Sequence, residues 1–221
     1  LNFLGVPEAW KYTTGHRDVI IGLSDGAVDT TLIDFRGKTR ILKTAPIASG
    51  HGLSVGAIAA AQGDNNFGIP GVCYDCGLLT TNYGNPNLEM LLELGQNGAK
   101  VINASWVTSQ KTARAQEVID ELMAMGTVVV AGAGNENWKK NKGKTLYYPA
   151  SLDKVISVSS VMYLHQDPKE GLSFEADGRP YVENVRGFVG RTAGFDGFDT
   201  SAPLRIYPES VATLNTEVDL L

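Results

Sequence analysis

The chain has 221 residues, 43% of them apolar, with 25 glycines and a formal net charge of −5. That length and apolar content suit one large domain with a substantial core. The acidic balance argues against a nucleic-acid surface, since the Lys139–Lys144 cluster is short and broken by Gly143. No apolar run approaches the roughly 20 residues a membrane-spanning helix needs, and no secretory signal opens the chain, so an exported protein would have lost it by processing. The two cysteines, Cys73 and Cys76, stand as C-x-x-C without a second cysteine pair or a histidine cluster to complete a zinc site. They read as a local disulfide or two buried thiols, ahead of a redox centre.

In chain order, strand-like and helix-like runs alternate. Pro7-Glu-Ala-Trp10 suits a short helix with proline in its first turn. Asp18 to Ser24 is a strand whose carboxyl end carries Asp25, a residue that serves equally as a turn former or helix cap. From His51 onward, Val55, Ile58 and Ala59 recur at helical spacing among Gly and Ala, which predicts a closely packed helix with His51 at its start. A histidine there is either structural or catalytic. The loop Gln62–Gly68 is rich in oxygen ligands and reads as a solvated turn or a calcium loop.

Gly71 to Thr80 is expected to be a strand, with Leu88, Leu91, Leu92 and Gly95 marking one face of the next helix. A short strand at Val101–Ser105 precedes a helix faced by Ala115, Val118, Ile119 and Leu122 and stopped at Gly126. Thr127 to Asn137 then runs from β-branched residues through Gly132 and Gly134 to Asn135, the pattern of a buried parallel strand delivering a polar side chain. Val155–Val161 adds a strand, and Leu172–Val185 suits a hairpin turning at Ala176-Asp-Gly178. Repeated strand, helix, strand order implies right-handed crossovers and a parallel sheet covered on both faces.

Asp25, His51 and Asn135 fall at one edge of that sheet. A carboxylate beside an imidazole fixes its tautomer, and a nearby amide can stabilise an oxyanion. Three segments carry a resemblance to a known family: Val19-Ile-Ile-Gly-Leu-Ser-Asp25-Gly-Ala-Val-Asp29, His51-Gly-Leu-Ser-Val-Gly-Ala57 and Val130-Ala-Gly-Ala-Gly-Asn135-Glu136. They resemble, in the right order, the aspartate, histidine and oxyanion-asparagine motifs of the subtilisin-like serine proteases. Asn66–Val72, Val101–Ser105, Tyr148-Pro-Ala150 with Val155–Val161, and Asp199-Thr-Ser-Ala-Pro203 extend the resemblance over nearly the whole chain.

The resemblance implies a three-layer α/β/α fold with a mostly parallel sheet, occupying 1–221 as one peptidase domain incomplete at its carboxyl end, with an insertion at about 162–197. It implies endopeptidase chemistry on a peptide or protein substrate, outside the cytoplasm, with Asp25 orienting His51 and Asn135 donating to the oxyanion. The substrate would lie as an added strand between Tyr83 and Gly84 on one wall and Ser105, Trp106 and Val107 on the other, with Ala131, Gly132 and Ala133 lining a pocket. No cofactor is required, and a structural calcium is an option.

Departures are equally specific. Gly26-Ala27 replaces Thr-Gly, Leu53 and Ser54 replace Thr and His, and Ser105-Trp-Val-Thr108 stands where the family has S-L-G-G. No G-T-S-M-A-x-P nucleophile motif is present; Ser201 only superficially matches it, and the nucleophile is expected beyond Leu221. The competing readings are a non-catalytic relative used for binding or regulation, and an unrelated doubly wound binding protein.

Overall fold

A computed structural model describes residues 1, 4–43, 50–81, 87–135, 145–163, 172–174, 180–185, 188–191, 206–208 and 218–220, with backbone only for those between 161 and 208. Six strands form one sheet: β1 (Ile20–Ser24), β2 (Thr39–Ile41), β3 (Gly77–Thr80), β4 (Val101–Ala104), β5 (Val128–Gly132) and β6 (Val155–Val158). Their order is β2-β3-β1-β4-β5-β6 and every pairing is parallel, so all carboxyl ends open at one edge. The chain builds outward from β1 first toward β2 and β3, then crosses to β4, which leaves the end of β1 at the point where the winding reverses.

Helix α1 (Val6–Ala9) has proline in its first turn. Helix α2 (His51–Ala60) covers one face of the sheet, over a core of Leu23, Val28, Phe35, Ala60 and Leu78. Helices α3 (Leu88–Gln96) and α4 (Arg114–Ala124) cover the other, where Leu79, Leu91, Leu94, Ile102, Ile119, Leu122 and Val129 are buried. Leu78 and Leu79 thus point to opposite faces, as strand alternation requires. Each such fully buried Leu or Ile contributes about 1.5–3 kcal/mol. Asn87 begins α3 by accepting the Met90 amide on its side chain. The result is the three-layer α/β/α arrangement expected from the sequence.

Three details differ from the sequence reading. The buried stripe of α2 is Gly52, Gly56 and Ala60, while Ile58 is exposed. A helix this close to a sheet needs small residues at the contact, and a Cβ on Gly56 would already touch Leu23, Val28 and Leu78. The strand expected over Gly71–Thr80 is confined to Gly77–Thr80. Before it, the amides of Gly71, Val72 and Cys73 bond to the carbonyls of Ala61, Ile58 and Ala59 at the end of α2, and Cys73 is joined to Cys76 by a disulfide. β2 had no sequence signal, because three residues at a sheet edge carry no period.

Beyond β6, β7 (Val161–Tyr163) pairs antiparallel with β11 (Ile206–Pro208). β8 (Leu172–Phe174), β9 (Pro180–Val185) and β10 (Phe188–Arg191) form a separate antiparallel sheet, with Leu172 opposite Val182. The turn Ala176–Gly178 lies outside the described residues. Residues 218–220 run alongside the end of β6: Leu220 bridges Val158 in parallel sense, and Asp219 accepts the Ser157 amide at 2.7 Å.

Candidate active site

Asp25 follows β1 and is buried. His51 opens α2, and its Nδ1 lies 2.8 Å from Asp25 Oδ1 and 3.0 Å from Oδ2. Because a carboxylate only accepts, this contact puts the ring proton on Nδ1 and makes Nε2 the basic nitrogen. Asp25 Oδ1 also accepts the Gly26 amide at 2.6 Å, which fixes the carboxylate against its own turn. The imidazole is 57% exposed and the carboxylate 7%, so the pair is anchored on one side and open on the other. What allows the meeting is the absence of a side chain at Gly52: helix α2 starts directly against the backbone of Gly26.

A cleft of about 350 Å³ opens at the carboxyl ends of the strands. His51, Ser105, Trp106, Val107, Gly132, Ala133 and Asn135 all line it. Asn135 follows β5, across the cleft edge from the β1 turn. The structure therefore gathers most of the residues singled out from sequence. Ala131 is the exception: its side chain is buried in the core beneath the cleft, because alternation along β5 turns it to the α4 face. Tyr83 and Gly84 lie outside the described residues, as does Ser201.

Val158, Ser159 and Ser160 also line the cleft and were missed. The signal was present. A strand at Val155–Val161 parallel to β5 must open its carboxyl end at the same edge, and the strand stops at Val158 so that both serines fall there.

In the 62–68 loop, Asn65 donates to Asp34 at 2.6 Å and its own oxygen accepts the Phe67 amide, while Gln62 Oε1 accepts from Arg17 at 2.6 Å. These oxygens serve internal bonds, one of them beside a guanidinium. Among the described residues no group of three or more His, Cys, Asp and Glu is placed to hold a metal.

The subtilase family model matches residues 16–174. The chain belongs to the subtilase family. Subtilases similar to it include the thermophilic serine proteinase of Bacillus sp. (strain AK1), 29% identical over 170 residues, covering 69% of this chain and 41% of that protein. Subtilisin DY of Bacillus licheniformis is 32% identical over 121 residues, covering 51% and 43%. The major intracellular serine protease of Bacillus subtilis (strain 168) is 27% identical over 183 residues, covering 73% and 56%. The chain thus spans about half the length of these relatives. Among solved structures, the prenylagaramide maturation protease PagA shares the fold over 95% of this chain and 76% of its own, with TM-score 0.58 and 20% identity. The psychrophilic subtilisin-like protease Apa1 of Pseudoalteromonas sp. AS-11 shares it over 72% and 39%, with TM-score 0.57 and 20% identity.

Proposed function

We propose that this subtilase is a serine endopeptidase in which Asp25 holds His51, His51 acts as general base and then acid, Asn135 donates to the oxyanion, and the attacking serine lies beyond residue 221. The observation that carries the proposal is the 2.8 Å contact between His51 Nδ1 and the buried Asp25, made at the rim of the cleft that Asn135 lines. A merely structural histidine has no need of a cleft at its open side. In the proposed reaction Nε2 takes the hydroxyl proton as the oxygen attacks the peptide carbonyl. Asp25 balances the imidazolium, and the proton then passes to the leaving amine.

The relatives are named as serine proteases, which supports the reaction class, and the wall Ser105–Val107 supports a peptide laid along the cleft as an added strand. Residues 218–220 beside β6 lead toward the same edge, which is consistent with a nucleophile arriving from there. A disulfide at Cys73–Cys76 favours an oxidising, extracytoplasmic setting, although one relative is named as intracellular. No helix among the described residues is long and apolar enough to cross a membrane.

The deciding experiment applies a serine-directed phosphonate probe to the protein extended past residue 221. Labelling of a serine in the added segment, abolished by His51→Ala, is the expected result. Labelling at Ser201 would move the nucleophile inside this chain, and a folded protein that neither labels nor cleaves peptides would make the domain a binding relative.

A further inference from the structure

We propose that Trp106 is a positioning residue for the Asp25–His51 pair, acting through Ser24; this deepens the peptidase reading and rests on it. Trp106 stands on the cleft wall that His51 shares. Its indole Nε1 donates to Ser24 Oγ at 3.0 Å, a contact between residues 82 apart in sequence. Ser24 is completely buried and immediately precedes Asp25. The β1–β4 register places Ser24 beside Ala104, so Trp106 comes from the neighbouring strand end, two residues further on. The rest of the indole packs on the core that α3 and α4 cover.

The ring is therefore held at two places, the core and the Ser24 hydroxyl, and borders the cleft. The Ser24 hydroxyl, which has left water, loses this partner if the bond breaks. Any shift of the ring as the cleft fills must carry the last residue of β1 with it or break the bond, and the next residue is the carboxylate that holds His51. Trp106 is also where this chain departs from the family pattern. The S-L-G-G motif has leucine at the position of Trp106, and leucine has no N–H to donate. The bond thus holds the pair in alignment, and its loss would appear in kcat more than in KM.

The test uses the full protein, including its segment beyond residue 221, with Trp106→Phe, Ser24→Ala and the double variant. Trp106→Phe keeps an aromatic ring on the wall and removes the donor, and Ser24→Ala breaks the same bond from the other side without changing the ring. Three readouts are taken: kcat and KM on peptide substrates, the far-downfield proton signal of His51 Nδ1, and the melting curve as a check on folding. Each single variant is expected to lower kcat about three- to ten-fold with KM held within about two-fold, and to shift or broaden the His51 signal. The double variant should be no worse than the poorer single one, because both remove the same bond. An unchanged His51 signal in folded variants would overturn the proposal, as would single effects that add or an effect confined to KM. If one variant does not fold, the other carries the same readouts. Absence of peptide cleavage by the unsubstituted protein would overturn the peptidase reading, while the His51 signal would still report whether Trp106 holds the pair.

Discussion

Gly52 lies so close to Gly26 that a Cβ at position 52 would fall 2.2 Å from the Gly26 carbonyl oxygen and 2.6 Å from its carbon. The first turn of α2 and the turn after β1 are thereby locked together, and the Asp25–His51 bond is the result. Gly52→Ala must push the helix start away from the backbone it touches. The expected outcome is a loss of turnover of about ten-fold or more, out of proportion to the change in KM, because reacting groups displaced by even an ångström lose alignment. Gly56→Ala is the control: its Cβ would meet only side-chain carbons, at 3.4 Å or beyond. Kinetics and melting curves of the two variants side by side check the claim.

Asn135→Ala is expected to lower kcat on the order of 100-fold with little change in KM, since the amide would act mainly on charge that develops in the transition state. That size is the one known for subtilisin itself, a member of this family. A loss seen only in KM would assign Asn135 to substrate binding.

Lys38 gives the domain a pH signature on the face away from the cleft. It is 7% exposed, and it donates to the Tyr74 carbonyl and, at 3.5 Å, to Gln62 Oε1. Burial, and then the nearby Arg17, push its pKa from the ordinary 10.5 down to about 8, against the opposing pull of Asp75 and Asp34. Below pH 8 the amine is protonated in both folded and unfolded states and the full cost of burying the charge is present. Between about 8 and 10.5 the folded state sheds the proton first, so stability rises with pH, on the order of 1–3 kcal/mol after allowing for partial solvation. Lys38→Met should flatten that rise in urea denaturation series at pH 7, 9 and 10, compared with the unsubstituted chain.

Gly15 and Gly126 both have positive φ, +102° and +74°, but only one is crowded. A Cβ on Gly15 would be 2.4 Å from Cys73 Sγ and 2.7 Å from Cys76 Sγ, whereas nothing lies within 4 Å of one on Gly126. Gly126→Ala is expected to cost about 1 kcal/mol from backbone strain alone. Gly15→Ala should cost more, about 2–4 kcal/mol, because the disulfide must also move. Reducing the disulfide should narrow the gap between the two variants, and equal losses under oxidising conditions would contradict the packing argument.

Apolar runs and helical stripes are local signals, and the sequence alone determined what they encode: the parallel strands at Ile20–Ser24, Val101–Ala104 and Val128–Gly132, the buried faces of α3 and α4, and the layered class of the fold. The positions of Asp25, His51 and Asn135 were legible because each stands at an element boundary within a motif. Tertiary structure decided what depends on distant neighbours. The packed side of α2 was set by how closely Gly52 and Gly56 approach the sheet, which overrode the apolar spacing that had pointed to Ile58. Ala131 went to the core because the β5 pleat turns it there, and Ser159 and Ser160 reached the cleft because β6 ends three residues before the apolar pattern does. The Trp106–Ser24 bond joins strand ends 82 residues apart through a parallel register that no local pattern contains.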